Sequence, residues 1–130
     1  MSFAPTTQRE ERVASAVVDA AFAVHKTLGS GLLENVYEVC FCHELGRRGL
    51  AYARQVVVPI VYDDITFDEG LRLDVLVEDV IICELKAVET MHPVFTAQLL
   101  TYLNLTEKRL GFLINFNVSL IKHGIRRVIL

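Results

Sequence analysis

Three charged residues, Asp74, Glu84 and Lys86, interrupt a stretch of the sequence that is otherwise rich in apolar residues. The stretch predicts a β-hairpin, with strands over residues 71–77 and 80–88 joined by a tight turn. Apolar residues recur at every second position of both strands, and these are Leu71, Leu73, Val75, Val77, Ile81, Cys83 and Leu85. Because side chains alternate between the two faces of a strand, we expect all of them on one face. The register that achieves this pairs residue 74 with residue 84 and places the three charged residues together on the other face.

This register makes Asp74 and Glu84 direct cross-strand neighbours, whose Cβ atoms lie about 5 Å apart. Two negative charges at that distance repel by roughly 3 kcal/mol at an effective dielectric constant of about 20. A divalent cation would offset the repulsion, because two carboxylates with water and a backbone carbonyl form a typical magnesium site. Lys86 follows on the same face about 7 Å along the strand, where its ammonium group could orient an attacking water or stabilise charge on a phosphate.

A ladder of ion pairs is the alternative interpretation of the same residues. Arg72 would lie diagonal to Glu84, and Asp74 diagonal to Lys86, so that the charges cancel without a metal. Ion pairs of this kind are common on protein surfaces and contribute little to stability. The Glu-x-Lys triplet does not decide between the two interpretations, because both residue types are common and the triplet recurs by chance.

Further candidates for the site lie on the predicted helices. Glu34 opens the second helix three residues before Tyr37, where a carboxylate is also favourable against the helix dipole. Gln98 and Tyr102 are four residues apart and therefore share a face of the helix after the hairpin. A position at the edge of the core explains that amide and phenol equally well. His25, near the end of the first helix, is predicted to be structural rather than a ligand.

The elements that must position these side chains follow from the periodicity of the apolar residues. Helices are predicted over residues 8–28, 32–48 and 93–106, strands over 55–62, 65–67, 71–77, 80–88, 110–116 and 125–129, and a loop over 117–124. Pro59 indicates an edge strand or a bulge, and Gly70 a break between two strands. The order predicts a single α/β domain over residues 1–130, in which helices flank a central mixed sheet with a three-strand antiparallel meander.

Composition narrows the class of protein. Of 130 residues, 52 % are hydrophobic, which is enough for a packed core. The formal net charge of −3 argues against binding of nucleic acid by bulk positive charge, although it allows a local basic groove. No apolar run reaches the ~18 residues of a membrane span, and residues 1–5 lack the pattern of a secretory signal, so we expect no membrane contact and a cytoplasmic location. The three cysteines are expected to be buried free thiols.

Five blocks of the sequence, in order, resemble the bacterial GxxExxY proteins, a branch of the PD-(D/E)XK nuclease superfamily. The signature itself is Gly31-Leu32-Leu33-Glu34-Asn35-Val36-Tyr37. The other blocks are residues 24–29, the hairpin segments 72–74 and 84–86, residues 97–103 and residues 111–116. The resemblance covers nearly the whole chain, and it implies a restriction-endonuclease-like fold.

The resemblance also implies roles for individual residues. Asp74 and Glu84, with the carbonyl of Leu85, would hold magnesium, or manganese in its place. Glu34 would add a carboxylate to the metal site from the preceding helix, and Lys86 would be the catalytic lysine.

Gln98 and Tyr102 match the glutamine–tyrosine helix motif of the RecB-like branch, which lies beside the site. Tyr37 and His25 are expected as supporting residues. The function that these expectations favour is a magnesium-dependent phosphodiesterase that cleaves DNA with a metal-activated water. The alternative is a module of the same fold that binds nucleic acid or protein without turnover, or that needs a partner to act. A protein partner and a homodimer stay open at this point.

Overall fold

The computed structural model describes residues 5–130, and its five-stranded sheet has the strands in the order in which they follow along the chain. The elements are α1 (Gln8–Leu28), α2 (Glu34–Arg47), β1 (Tyr52–Tyr62), β2 (Ile65–Val77), β3 (Ile81–Lys86), α3 (Pro93–Thr106), β4 (Leu110–Asn115), a 3-10 turn (Ile121–His123) and β5 (Ile125–Ile129). Strands β3 and β4 are parallel, and the other neighbouring pairs are antiparallel. The predicted α/β fold is confirmed, with β1, β2 and β3 as the meander. Residues 1–4, most of the segment that argued against a secretory signal, lie outside the described residues.

Both ends of α1 are set by local interactions that the sequence encodes. Thr7 and Glu10 form a capping box, in which each side chain accepts a hydrogen bond from the backbone N–H of the other. Gly29 ends the helix with φ +70°, a conformation that suits glycine. Between the ends runs a stripe of buried side chains: Val13, Ala14, Val17, Ala20, Ala21 and Val24. The stripe turns one face of α1 toward the sheet.

Helices cover both faces of the sheet, and each side has its own core. Helices α1 and α2 pack on one face, over β3 side chains that include Cys83 and Leu85. Helix α3 packs on the other face, over Ile82 and Leu113. None of the helices formed by residues 5–130 is long and apolar enough to span a membrane.

The predicted break at Gly70 is wrong, because β2 is continuous from Ile65 to Val77. The pairing of β1 with β2 instead changes register between Val58 and Ile60. Pro59 stands at this irregularity on an edge strand, as its missing N–H requires. A Cβ atom at Gly70 would overlap the Ile60 side chain, so glycine is needed where the two strands approach closely.

The predicted single apolar face of β2 is also wrong. Val75 and Val77 pack with α1 and α2 as expected, but Leu71 and Leu73 belong to the opposite core, beneath α3. The apolar side chains of β2 therefore switch from the α3 side of the sheet to the side of α1 and α2 between Leu73 and Val75. Asp74 lies at this switch.

The reversal coincides with an unusual residue in the neighbouring strand. Gln55 has φ +52°, and the regular pairing of β1 with β2 omits Gln55 and Asp74 while it continues on either side. Arg54 contacts Glu38 of α2, whereas Val56, two residues later, packs beneath α3. In a regular strand two such residues share a face, so the left-handed residue between them rotates the strand. Alternation alone gives no sign of this rotation.

Candidate active site

The candidate site lies where the ladder between β2 and β3 ends and side chains take over the pairing. The last backbone pair is Val75 with Cys83, so the register aligns Asp74 with Glu84 as predicted. The Asp74 carboxylate accepts a hydrogen bond from the N–H of Leu85, with an Oδ2–N distance of 2.9 Å. The N–H of Asp74 points at the Glu84 carboxylate, with an N–Oε2 distance of 3.4 Å. Each carboxylate thus takes the place of a backbone acceptor that a further strand pair would have supplied.

Glu84 is buried, with only 6 % of its surface exposed. Burial, together with the hydrogen bond and the negative charge of the adjacent Asp74, raises its pKa from 4.5 to about 9. Its second carboxylate oxygen, Oε1, is buried and has no hydrogen-bond partner among the described residues. A buried carboxylate oxygen without a donor is costly, so this atom points to a ligand that the protein chain does not supply.

The ammonium group of Lys86 lies 4.4 Å from the centre of the Phe95 ring, on helix α3. Within the described residues no ion pair joins Lys86 to Asp74, or Arg72 to Glu84, so the ladder of ion pairs is absent from this structure. Burial raises the pKa of Glu84, and the positive charge of Lys86 opposes that rise. The lysine therefore lies within electrostatic reach of the acids without being paired to them.

Glu34 is the first residue of α2 and is exposed to solvent. Partial burial against its surroundings raises the pKa of its carboxyl group, and the negative charge of Asp74 raises it further. Glu34 therefore lies within electrostatic reach of Asp74, and its membership of the site stays a prediction. However, residues 5–130 contain no group of three or more acidic, histidine or cysteine side chains arranged to hold a metal ion. Metal ligation by Glu34 and by the Leu85 carbonyl stays a prediction.

Tyr37 fixes the loop from which Glu34 projects. Its hydroxyl donates to the carbonyl of Gly29 at 2.7 Å and accepts from the N–H of Leu32 at 3.1 Å. The ring is fully buried and stacks on Phe116, with centroids 4.7 Å apart. The loop between α1 and α2 is thus closed by one side chain, one helical turn after Glu34.

Tyr102 of α3 reaches the site from the opposite layer. Burial raises the pKa of its hydroxyl, and the charges of Glu84 and Asp74 raise it further, while contact with Gln98 lowers it. The tyrosine thus faces both acids, and Gln98 stands beside the tyrosine on the exposed side of the helix. The supporting roles of Gln98 and Tyr102 stay predictions.

His25 contacts the backbone instead of the acids. Its Nε2 lies 2.7 Å from the carbonyl oxygen of Val118, so this nitrogen carries the proton and donates. The contact joins the end of α1 to the loop after β4. The predicted structural character of His25 agrees with this arrangement.

A cluster on the α2 side of the site was missed by sequence reasoning. Glu38 is buried and accepts two hydrogen bonds from Arg54, at 2.9 and 2.7 Å, and one from the side chain of Gln55 at 2.8 Å. The cluster therefore holds the left-handed residue that lies beside Asp74. The available signal was the spacing of Glu38 four residues after Glu34, on the same helix face.

Asn115 was also missed, and it anchors the end of β3. Its buried side chain accepts from the N–H of Val88 at 3.1 Å and donates to the Val88 carbonyl at 2.9 Å. The neighbouring backbone N–H of Phe116 donates to the carbonyl of Lys86. The strand end that carries Lys86 is thus tied to β4. A lone polar residue in the apolar strand was the signal for this role.

The residues present fit a magnesium-type ion. Mg²⁺ is usually bound by one or two carboxylates, and it keeps several waters or takes oxygens from a substrate phosphate. Asp74 and Glu84 supply two adjacent carboxylates, and Glu84 Oε1 is the acceptor that has no partner. Three protein carboxylates are not needed for such a site.

A family model of the PD-(D/E)XK nuclease superfamily matches residues 11–128, which include the hairpin, all three helices in large part, and both acids. The chain belongs to the PD-(D/E)XK nuclease superfamily. No curated protein and no solved structure gives a significant match. The superfamily predicted from the sequence is confirmed, and the GxxExxY subfamily and RecB-like branch stay predictions.

The buried acid of this PD-(D/E)XK domain predicts how stability depends on pH. Glu84 holds its proton up to about pH 9 in the folded protein but only to about 4.5 in the unfolded chain. Between these values the folded state binds more protons, so the free energy of unfolding of metal-free protein falls as pH rises, by at most about 1.4 kcal/mol per pH unit. Urea unfolding in the presence of EDTA across this range measures the slope.

The variant Glu84→Gln isolates the contribution of this group. Its neutral amide can donate to Asp74 as the protonated acid does, so the fall in stability over that pH range is reduced or lost. The variant Glu69→Gln, at an exposed position of β2, keeps the wild-type profile. Parallel profiles for Glu84→Gln and wild type would show that Glu84 is ionised in the folded protein.

The loop contact of Tyr37 predicts a second effect on stability. Tyr37→Phe keeps the stacked ring but removes both hydrogen bonds, so the free energy of unfolding falls by about 1–3 kcal/mol. The matched change Tyr62→Phe, at a tyrosine that is 69 % exposed, leaves stability unchanged. Urea unfolding of both variants checks the difference, and equal stabilities would contradict the role of the Tyr37 hydroxyl.

Proposed function

We propose that this protein is a magnesium-dependent phosphodiesterase that cleaves DNA. The observation that carries the proposal is the contact of half-buried Asp74 with buried Glu84, which leaves one carboxylate oxygen without a donor. Beside it lies Lys86, which forms no ion pair with the described residues. Membership of a superfamily of nucleases supports the same class of reaction. The residues of the site carry more weight than the fold, because a fold by itself hosts many activities.

Asp74 and Glu84 would hold the metal ion, which supplies a Lewis acid for the phosphate and a water of lowered pKa. In the metal-free protein the elevated pKa of Glu84 keeps a proton in this place, so a metal ion and that proton compete. The contacts of Asp74 with the Leu85 N–H keep one carboxylate fixed in position whether or not the proton is present.

Lys86 would act on the substrate and not on the acids. Its ammonium group lies 4.4 Å from the centre of the Phe95 ring. The face of the ring attracts the cation without forming an ion pair with it. From there it can turn toward a phosphate oxygen or orient the attacking water. Tyr102, which faces both acids from α3, closes the other side of the site.

A second candidate function is a binding module of the same fold that does not turn over substrate. The observation that favours it is the same contact of Lys86 with Phe95, which holds the ammonium group on α3. In that case Lys86 would contribute charge and packing only, and the site would bind a metal and a phosphate without cleavage.

One prediction of the proposed function concerns binding of the metal. Calorimetric titration with magnesium or manganese detects binding, with about one proton released per metal at neutral pH, because Glu84 must lose its proton. Titration in two buffers with different ionisation enthalpies measures that proton. Asp74→Asn weakens binding, whereas Asp68→Asn, at an exposed position of β2, does not. If neither metal binds at millimolar concentration, the assignment of the metal site is wrong.

Another prediction of the proposed function concerns catalysis by Lys86. Lys86→Met removes the charge but keeps an apolar stem against Phe95, and it lowers the rate of DNA cleavage in magnesium by at least ~10²-fold. Metal affinity is retained, because lysine is not a ligand. The control Lys108→Met removes a lysine that pairs with Asp79 at the opposite end of β3 and β4, and it leaves the rate unchanged. Gel assays on single-stranded and duplex DNA, with RNA for comparison, measure the rates.

Wild-type protein that binds magnesium but cleaves none of these substrates would decide for the binding module. Equal rates for wild type and Lys86→Met would instead keep the enzyme and remove Lys86 from its mechanism.

A further inference from the structure

We propose that a groove at the end of α1 binds a single-stranded segment of the nucleic-acid substrate, with a base in the groove and phosphates on its two lysines. This inference rests on the proposed function and names a substrate contact for it. The groove, called the α1 groove below, has a volume of about 470 Å³ and lies between Phe22–Lys26 and the segment 119–122.

Each wall of the α1 groove has one large apolar side chain and one lysine. Phe22 and Lys26 form one wall, and because they are four residues apart on α1 they share a helix face. Leu120 and Lys122 form the other wall. Phe22 is 44 % exposed and Leu120 is 54 % exposed, so both present apolar surface to solvent. A flat base fits between such side chains, since every base has a face that stacks on an aromatic ring.

Charge distinguishes the α1 groove from four other grooves on the described part of the chain. Its walls carry Lys26, Lys122 and His25 and no carboxylate. Each of the other four has at least one carboxylate in its walls. In a protein with a formal net charge of −3, this local positive charge is the kind that attracts a phosphate backbone.

The α1 groove is linked to the strand end that carries Lys86 by backbone contacts of the segment after β4. The N–H of Phe116 donates to the carbonyl of Lys86 at 2.9 Å, and the carbonyl of Val118 accepts from His25 at 2.7 Å. Only two residues, about 7 Å of extended chain, separate those contacts. The segment 119–122, which lines the α1 groove, therefore begins within a few residues of the strand end that carries Lys86.

The combination of features favours nucleic acid over a protein segment as the occupant. An apolar peptide would bury Phe22 and Leu120 but would leave the two lysines as partly desolvated charges without partners. A single strand provides partners for both kinds of side chain, because its bases can contact the apolar side chains and its phosphates the ammonium groups.

The test is binding of a fluorescein-labelled oligothymidine of about ten nucleotides, a length within the span of one small binding domain. Fluorescence anisotropy is measured in EDTA, so that no cleavage occurs, over a series of salt concentrations. The variants are Phe22→Ala and the double variant Lys26→Ala/Lys122→Ala. The matched control is Arg12→Ala, an exposed cation on α1 that lies fourteen residues, about 21 Å, before Lys26.

Phe22→Ala weakens oligonucleotide affinity by about 5- to 100-fold through lost stacking. The double lysine variant lowers the slope of log affinity against log salt by about 1.4, the value for two phosphate contacts with a single strand. Arg12→Ala keeps the wild-type affinity and slope. All three folds are checked by their thermal unfolding, and the exposed positions of the changes favour retained structure.

Two results overturn the proposal. One is wild-type protein that does not bind the oligonucleotide, and the other is wild-type affinity and salt slope in both the Phe22 and the double lysine variants. The second result would leave the groove to a protein segment. The outcome is separable from that of the proposed function. Binding through the α1 groove without cleavage contradicts the phosphodiesterase activity and supports the groove as a binding site. Cleavage by wild type, together with unchanged binding in the groove variants, supports the activity and contradicts the groove.

Discussion

The contact between two acids at the end of a strand ladder is the constraint around which the site is organised. Asp74 and Glu84 lie side by side because the β2–β3 register leaves no other place for them. One of them is buried, so both cannot carry a negative charge unless a cation is present. Under the proposed function the site would therefore alternate between a bound proton and a bound cation. Metal affinity, apo stability and pH dependence are three measures of this one competition.

The polar groups around the acids have hydrogen-bond partners, in contrast to one carboxylate oxygen of Glu84. Glu38 fixes the reversal in β1, Asn115 ties the end of β3 to β4, and the Tyr37 hydroxyl closes the loop before α2. Each of these side chains has its hydrogen-bond partners within the chain. A buried Glu84 oxygen without a partner, inside a frame of paired groups, is what a preorganised ligand site requires.

The distribution of charge explains how an acidic protein could act on a polyanion. The net charge of −3 repels nucleic acid at a distance, and the negative charge of Asp74 in the site adds to that repulsion. Lys26 and Lys122 form a local positive surface in the α1 groove. Binding that depends on so few cations is weak and sensitive to salt. An affinity of that kind suits a substrate held at several points, or by a partner.

The sequence by itself determined the features that depend on neighbours along the chain. Helix α1, helix α3 and the alignment of Asp74 with Glu84 follow from periodicity and turn length, and each was predicted within a few residues. Only the tertiary structure decided the reversal of β2 at Asp74, which depends on Gln55 and Glu38 in other elements. It also decided how deeply Glu84 is buried and where the cation of Lys86 rests. These properties arise from contacts between segments far apart in the chain, and periodicity reports only which side chains are apolar and how they alternate.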